Sequence, residues 1–272
     1  MSLIRSFRKP GNLLALFFSL ALVIIALGQN RLTPYDPLAI DTSIRFSPPS
    51  AAHWLGTDNL GRDIASRTLA GTRLALQSCL IILVIATLVG LLVGSIAGYY
   101  GGIVDEVLMR ISDVFIAFPG LILALAIAAA LGPSLSHAMI AISVVWWPSY
   151  ARLVRGLVLE IKEREYVIAS RSLGANDLWI ILRHILPNIS IPLLMQITSD
   201  IGPALVTTSS LSFIGMGAQP PTPEWGSMVS QGHQYLLDYW WISTFPGAAI
   251  LVTVMAFNSL GEAVRESLQI QH

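Results

Sequence analysis

The stretch Glu160–Pro187 reads EIKEREYVIASRSLGANDLWIILRHILP and interrupts two long apolar runs with a dense patch of charge. Two short helical segments are predicted within it, Arg164–Leu173 and Asp177–Ile185, with Gly174 between them. Glycine leaves helical backbone geometry more readily than any other residue, so it marks a sharp bend. Asn176 or Asp177 is placed to cap the second segment. Pro187 opens the next apolar run, where its missing N–H costs least. A helix–Gly–helix elbow joined to two membrane spans is built to pass force from a soluble partner into the bilayer.

Composition sets the class around that elbow. The chain of 272 residues is 54% hydrophobic and 12% charged, against roughly 25% charged for soluble domains. A single soluble core of that size needs a more charged surface, so the chain reads as all-α and polytopic in a membrane. Formal net charge is zero, which gives no footprint for nucleic acid. The one cysteine, Cys79, lies in an apolar run and excludes both an internal disulfide and a thiolate metal site.

About 20 apolar residues cross a bilayer, and six candidate spans are expected near 11–29, 74–98, 112–131, 137–156, 189–212 and 241–260. The first, with Arg5, Arg8 and Lys9 before it and Ala26-Leu27-Gly28 at its end, can also be read as a cleaved signal peptide. Its long core, and the lack of a soluble-looking domain after it, favour a retained anchor. With the N-terminus inside, eleven Lys and Arg fall on the cytoplasmic side and five outside, all five between Arg31 and Arg73. That bias predicts both termini and the loop near 157–188 in the cytoplasm. Residues 1–73 then form an anchor helix and external segment, and 74–272 the transmembrane domain. The other external pieces are a turn near Gly132-Pro133 and a proline-stiffened segment at 213–240.

The chemistry of the chain is sparse. Only Lys9 and Lys162 are lysines and neither follows a glycine, so no phosphate-cradling P-loop can form. Dinucleotide, zinc-protease and serine-hydrolase signatures are absent as well, and an intramembrane hydrolase lacks a nucleophile–base pair. The histidines, His53, His137, His184, His233 and His272, are scattered, which favours loop or interface roles over metal ligation. Asp200 stands apart as an ionisable group inside the fifth span, roughly 16 Å from its start at 1.5 Å per residue. Two readings stay open: a structural hydrogen bond beside Thr198 and Ser199, or a lining residue of a polar pathway. Pro192, Gly202 and Pro203 predict a bend in that span. The small residues from Ala124 to Ala130 predict close helix packing.

The block His53–Arg67, HWLGTDNLGRDIASR, alone says capped turns before a helix. Taken with Asp113–Pro119 (DVFIAFP), Leu211–Gly217 (LSFIGMG), Pro223–Gly226 (PEWG) and Met255–Gly261 (MAFNSLG), it makes nearly the whole chain resemble one family. That family is the second, C-type permease of dipeptide, oligopeptide and nickel ABC importers. Glu160–Pro187 likewise resembles the "EAA" loop of such permeases. Ala169, Gly174, Leu186 and Pro187 keep its register, while Ile168 replaces the Glu, Ser170 the second Ala and His184 the Ile.

The resemblance implies a type I ABC-importer permease in a bacterial inner membrane, itself non-catalytic. It implies a homologous partner permease, two ATPase subunits that hold ATP and Mg, an extracytoplasmic solute-binding protein, and lipid around the spans. No cofactor or metal belongs to this chain on that reading. The ATPase-coupling loop would be carried by Tyr166, Ala169, Leu173, Gly174, Leu186 and Pro187, with Asp200 a possible pathway residue. The cargo would be small peptides or nickel and other metal chelates, because a bare ion finds no dense His, Cys or Met cluster in the spans. The rival is an ion-coupled secondary transporter using Asp200, for which matched broken helices in two halves are lacking.

Overall fold

A computed structural model describes residues 10–269, so the basic flank Arg5, Arg8 and Lys9, and also His272, lie outside the described residues. Helices carry the fold: α1 (Pro10–Leu32), α2 (Ile64–Tyr100), α3 (Gly102–Ile116), α4 (Gly120–Leu131), α5 (Leu135–Lys162), α6 (Glu165–Ser172), α7 (Asp177–Ile180), α8 (Leu186–Phe213), α9 (Trp225–Gly232) and α10 (Trp241–Gln269). The described residues contain no strand, only an isolated bridge between Thr57 and Asp63.

The expected spans are redrawn in three places. Ile64–Tyr100, Asp177–Phe213 and Trp241–Glu266 are long and apolar enough to cross a membrane. The span expected at 112–131 is instead two helices, α3 and α4, bent by 88°. Pro119 has no N–H to donate, and its ring bars helical geometry at Phe118, so α3 stops and α4 restarts at Gly120. The helix at 137–156 exists within α5, but Ser136, His137, Ser143, Trp146, Trp147 and Pro148 dilute its apolar character. Residues Leu13–Gln29 of α1 form a shorter apolar helix.

The third revision concerns the second arm of the elbow. Asp177–Ile185 does not end before Pro187. The chain is helical without a break from Asp177 to Phe213, through a π-helical turn at Ile181–Ile185. There the Leu186 N–H donates to the Ile181 carbonyl five residues back. The widened turn lets Pro187, which has no N–H, enter the helix without stranding a regular hydrogen bond.

The chain forms two compact units. The first gathers the chain up to Ile81, Leu125–Ala141 and the chain from Thr198. In it α10 packs against both α1 and α9. Ile64, Trp241 and Ile242 form its buried apolar centre, with Phe46, Leu55, Tyr235, Tyr239 and Phe245 around them. Trp225 is buried and its indole N–H donates to the Thr68 carbonyl at 2.8 Å.

The second unit gathers Ile82–Ala124 and Ile142–Ile197. Its axis is the contact of α2 with α5. Gly90, Gly94 and Gly98 repeat every four residues, so they share one face of α2. A Cβ at Gly90 would lie 2.3 Å from the Tyr150 Cβ, and one at Gly94 2.4 Å from the Ala151 carbonyl oxygen. This is the small-residue packing that lets helix backbones touch in a membrane. Arg155 and Asp105 then tie α5 to α3 through a two-pronged ion pair, with Nη2 donating to Oδ2 at 2.6 Å.

Gly94→Ala is expected to lower stability by about 1–3 kcal/mol in detergent unfolding, because the added carbon meets backbone. Gly156→Ala, whose Cβ would meet nothing within 4 Å, is expected to be neutral or to gain up to about 1 kcal/mol from helix propensity. Equal effects at the two positions would refute the packing argument.

Candidate functional site

The elbow lies wholly within the second unit. α5 ends at Lys162, whose ammonium group donates to the Gly98 carbonyl at 2.8 Å and so closes the C-terminal end of α2. Arg164, in extended geometry, starts α6. At the far end Gly174 has φ +87°, a conformation that side-chain-bearing residues avoid. Its N–H donates to the Arg171 carbonyl at 3.0 Å, and the Ala175 N–H to the Ser170 carbonyl at 3.1 Å. These are the two bonds of a Schellman stop, which satisfies carbonyls that the helix end would leave bare. Asn176, not Asp177, caps the second arm: its side-chain oxygen accepts from the Trp179 N–H at 2.7 Å.

Asp177 is used otherwise. Its Oδ1 accepts from the Tyr99 hydroxyl at 2.7 Å, and the Arg171 guanidinium sits 5.3 Å above the Tyr99 ring. Tyr99, at the end of α2, therefore touches both arms of the elbow. The apolar residues divide into two sets. Val167, Ile180 and Ile185 are fully buried and anchor the elbow, whereas Tyr166, Ile168, Leu178, Trp179 and Leu182 are exposed and Leu173 is 88% exposed. An exposed ridge of large apolar side chains on an otherwise charged loop has the character of a protein-docking surface.

The expected loop residues therefore separate into roles. Tyr166, Ala169 and Leu173 lie on or beside α6, Gly174 makes the stop, and Leu186 and Pro187 begin α8. The Ser170 hydroxyl and His184 Nε2, 3.0 Å apart, bring the two arms together. Spacing in the sequence does not announce that pair, nor the one between Tyr99 and Asp177.

Asp200 does not join this group. It belongs to the first unit, half-buried on α8, in a run that stays helical through Pro192, Gly202 and Pro203. Beside it a polar seam joins α8 to α10. Arg265 donates to the Ser199 hydroxyl at 3.1 Å, and a Cβ on Gly202 would lie 2.3 Å from the Asn258 side-chain oxygen. Among the described residues no three His, Cys, Asp or Glu side chains come together as a metal site.

The block at 53–67 holds the capped turns read from its sequence, and a buried ionic knot as well. Asp58 Oδ1 accepts from the N–H groups of Leu60 and Arg62, and Oδ2 accepts from Arg62 Nε at 2.6 Å. Arg67, 1% exposed, brings its Nε to 3.8 Å from the same oxygen and donates to the carbonyls of Pro37 and Pro221. Arg62 reaches Gln231 at 3.1 Å. Asp63 accepts from the Ser66 N–H at 2.7 Å, which caps the start of α2, and lies 2.9 Å from His53. Nearby, Glu224 caps α9 by accepting from the N–H groups of Gly226 and Ser227. Burial pushes the Glu224 carboxyl up, and those donors pull it back.

Asp58→Ala strands two buried guanidinium groups and is expected to cost about 3–5 kcal/mol in thermal or detergent unfolding. His53→Ala removes a more exposed partner and is expected to cost about 1 kcal/mol. Indifference to Asp58→Ala would show that the knot contributes little.

Residues 90–269 match the family described as binding-protein-dependent transport system inner membrane component. The chain is 47% identical over 237 residues to the probable D,D-dipeptide transport system permease protein DdpC of Escherichia coli (strain K12), covering 87% of this chain and 80% of that one. It is 42% identical to the nickel transport system permease protein NikC of the same strain, covering 94% of this chain and 92% of that protein. Against the glutathione transport system permease protein GsiD of Pectobacterium atrosepticum, identity is 41%, with 97% and 88% covered. Two solved structures share the fold. The methionine ABC transporter MetNI, in inward-facing conformations, gives a TM-score of 0.58 at 20% identity, over 74% of this chain and 95% of that one. An amino acid ABC transporter gives 0.56 at 17%, over 72% and 91%.

Proposed function

The chain belongs to the family of binding-protein-dependent inner-membrane transport components, as a multi-pass ABC-importer permease, and from that premise we propose that the Gly174 elbow is where ATPase subunits drive it. The observation that carries this reading is the elbow itself: an exposed apolar ridge on a short helix, a rigid stop at Gly174, and an arm continuous with α8. A push on α6 reaches a 37-residue helical run directly, with no flexible linker between.

In this reading the chain pairs with a homologous permease. Two separate ATPase subunits hold ATP and Mg, and an extracytoplasmic solute-binding protein delivers the cargo. This chain hydrolyses nothing itself. The cargo is a small peptide, or nickel or another metal as a chelate, in keeping with relatives named for D,D-dipeptide, glutathione and nickel transport. The family match disfavours the ion-coupled carrier built on Asp200. Asp200 keeps two roles to be separated by substitution, lining the path or supporting the α8–α10 seam.

The orientation proposed has both termini and the elbow in the cytoplasm, with 213–240 outside, supported by the excess of Lys and Arg around the elbow. Single cysteines at Asn176 and Thr222, in a Cys79→Ala background, are expected to react with impermeant reagent from opposite sides of the membrane. Reaction of both from one side would overturn this topology.

Gly174→Val tests the coupling. A Cβ at Gly174 would touch nothing within 4 Å, so the whole cost is backbone strain at φ +87°, about 1 kcal/mol or more and greater for a branched side chain. Transport and the stimulation of ATPase by loaded binding protein are expected to fall sharply, with insertion and assembly retained. Gly174→Asn, which tolerates this geometry better, is expected to lose less. Unchanged stimulation in Gly174→Val would remove the elbow from the coupling path.

A further inference from the structure

The joint at Gly174 is held by backbone alone. No side chain packs within 4 Å of where its Cβ would be, so at the joint itself only the two hydrogen bonds of the stop resist folding of one arm toward the other. Contacts further along the arms have to supply the rest. Tyr99 supplies one from outside by touching Arg171 and Asp177. Ser170 and His184 supply the direct one, across 14 residues of sequence.

The hydrogen bonds of that contact have one consistent direction. The Ser170 Oγ lies 2.9 Å from the Tyr166 carbonyl oxygen and 3.0 Å from His184 Nε2. A hydroxyl has one proton to give. Given to the Tyr166 carbonyl, it leaves the Ser170 oxygen to accept from the His184 Nε2–H. The result is a directed chain, His184 Nε2–H to Ser170 O–H to Tyr166 O=C, in which each bond polarises the next. This direction requires the ring to carry a proton on Nε2.

The imidazole is also held sterically. Trp179 and Tyr166 meet it edge to face, with ring centroids at 4.8 and 5.7 Å. The backbone carbonyl of His184 accepts from the Asn188 side chain at 2.6 Å, and Ile185 beside it is fully buried. The acceptor stands on α6 and the donor in the π-helical turn that leads into α8. Ser170 and His184 are also two of the three positions where the loop departs from the pattern it resembles, and the departures meet each other.

We propose that Ser170 and His184 form the brace that fixes the angle between α6 and the stem of α8, so that load on α6 moves α8 and is not absorbed by bending at Gly174. This rests on the elbow being the coupling element. The two are positioning residues; the contact with an ATPase belongs to the exposed ridge beside them.

The test uses the assembled, cysteine-free transporter with spin labels at Ser172 and Arg183, exposed positions on either side of the joint that are not among the ridge residues. Distances are measured without nucleotide and with ATP and vanadate. The native brace is expected to give one narrow distribution in both states. Ser170→Ala and His184→Leu are each expected to raise the minor-distance population about fivefold, the change that loss of one hydrogen bond brings. His184→Gln, which keeps a donor near the Nε2 position, is expected to stay near native. The double variant is expected to match His184→Leu and not the product of the singles, since both substitutions remove the same hydrogen bond. If His184→Leu does not assemble, Ser170→Ala and His184→Gln decide alone. Native distributions in Ser170→Ala and His184→Leu, a multiplied effect in the double variant, or a broad native distribution would each overturn the brace. Uncoupling in Gly174→Val beside native distances in the brace variants would sink only the brace. Unchanged coupling in Gly174→Val would sink the elbow reading, whatever the distances show.

Discussion

Every departure from straight helix has to keep its backbone donors and acceptors occupied, by the chain itself wherever the break lies in hydrocarbon and by the chain or water elsewhere. This chain meets that constraint differently at each break. At Pro119 the helix stops and begins again nearly at right angles. At Pro187 it widens into a π turn and continues. At Gly174 it closes with the two hydrogen bonds of a Schellman stop and a left-handed residue. The three solutions grade from rupture to continuity, and they decide which segments can transmit displacement along their axis.

The second unit has the features that such transmission would require. The glycine face of α2 brings its backbone against α5, Lys162 fastens the end of α5 to that of α2, and Tyr99 fastens α2 to the elbow. Close backbone packing resists sliding better than long, flexible side chains do, because few rotamers can relax around it. On the proposed reading, a ridge mounted on so stiff a base would lose little of an applied displacement before the base moved with it.

The parts legible in the sequence were those fixed by local rules. Gly174 was readable as a bend because glycine leaves helical geometry most readily, and position narrowed the cap to Asn176 or Asp177, of which Asn176 makes the bond. Three of the six expected runs lie in helices long and apolar enough to cross a membrane, but the ends of those helices were not legible. Asp63 caps α2 well before the apolar run begins, which places Arg67 and Arg73 inside the helix. Pro119 was visible, yet hydropathy averaged across it. Pro187 was read as a start because a proline in the first turn and one tolerated by a π turn look alike in sequence. The Ser170–His184 contact and the ionic knot depend on partners far along the chain, where no periodicity points.

That knot also bears on the order in which the chain matures. Arg62 finds Gln231 across 169 positions, and Arg67 finds the Pro221 carbonyl across 154. Neither partner has been synthesised when the segment around Arg62 leaves the ribosome. Until the last third of the polypeptide arrives, these guanidinium groups must remain hydrated at the membrane surface with Asp58 as their local companion. Closure of this region therefore comes late in biogenesis.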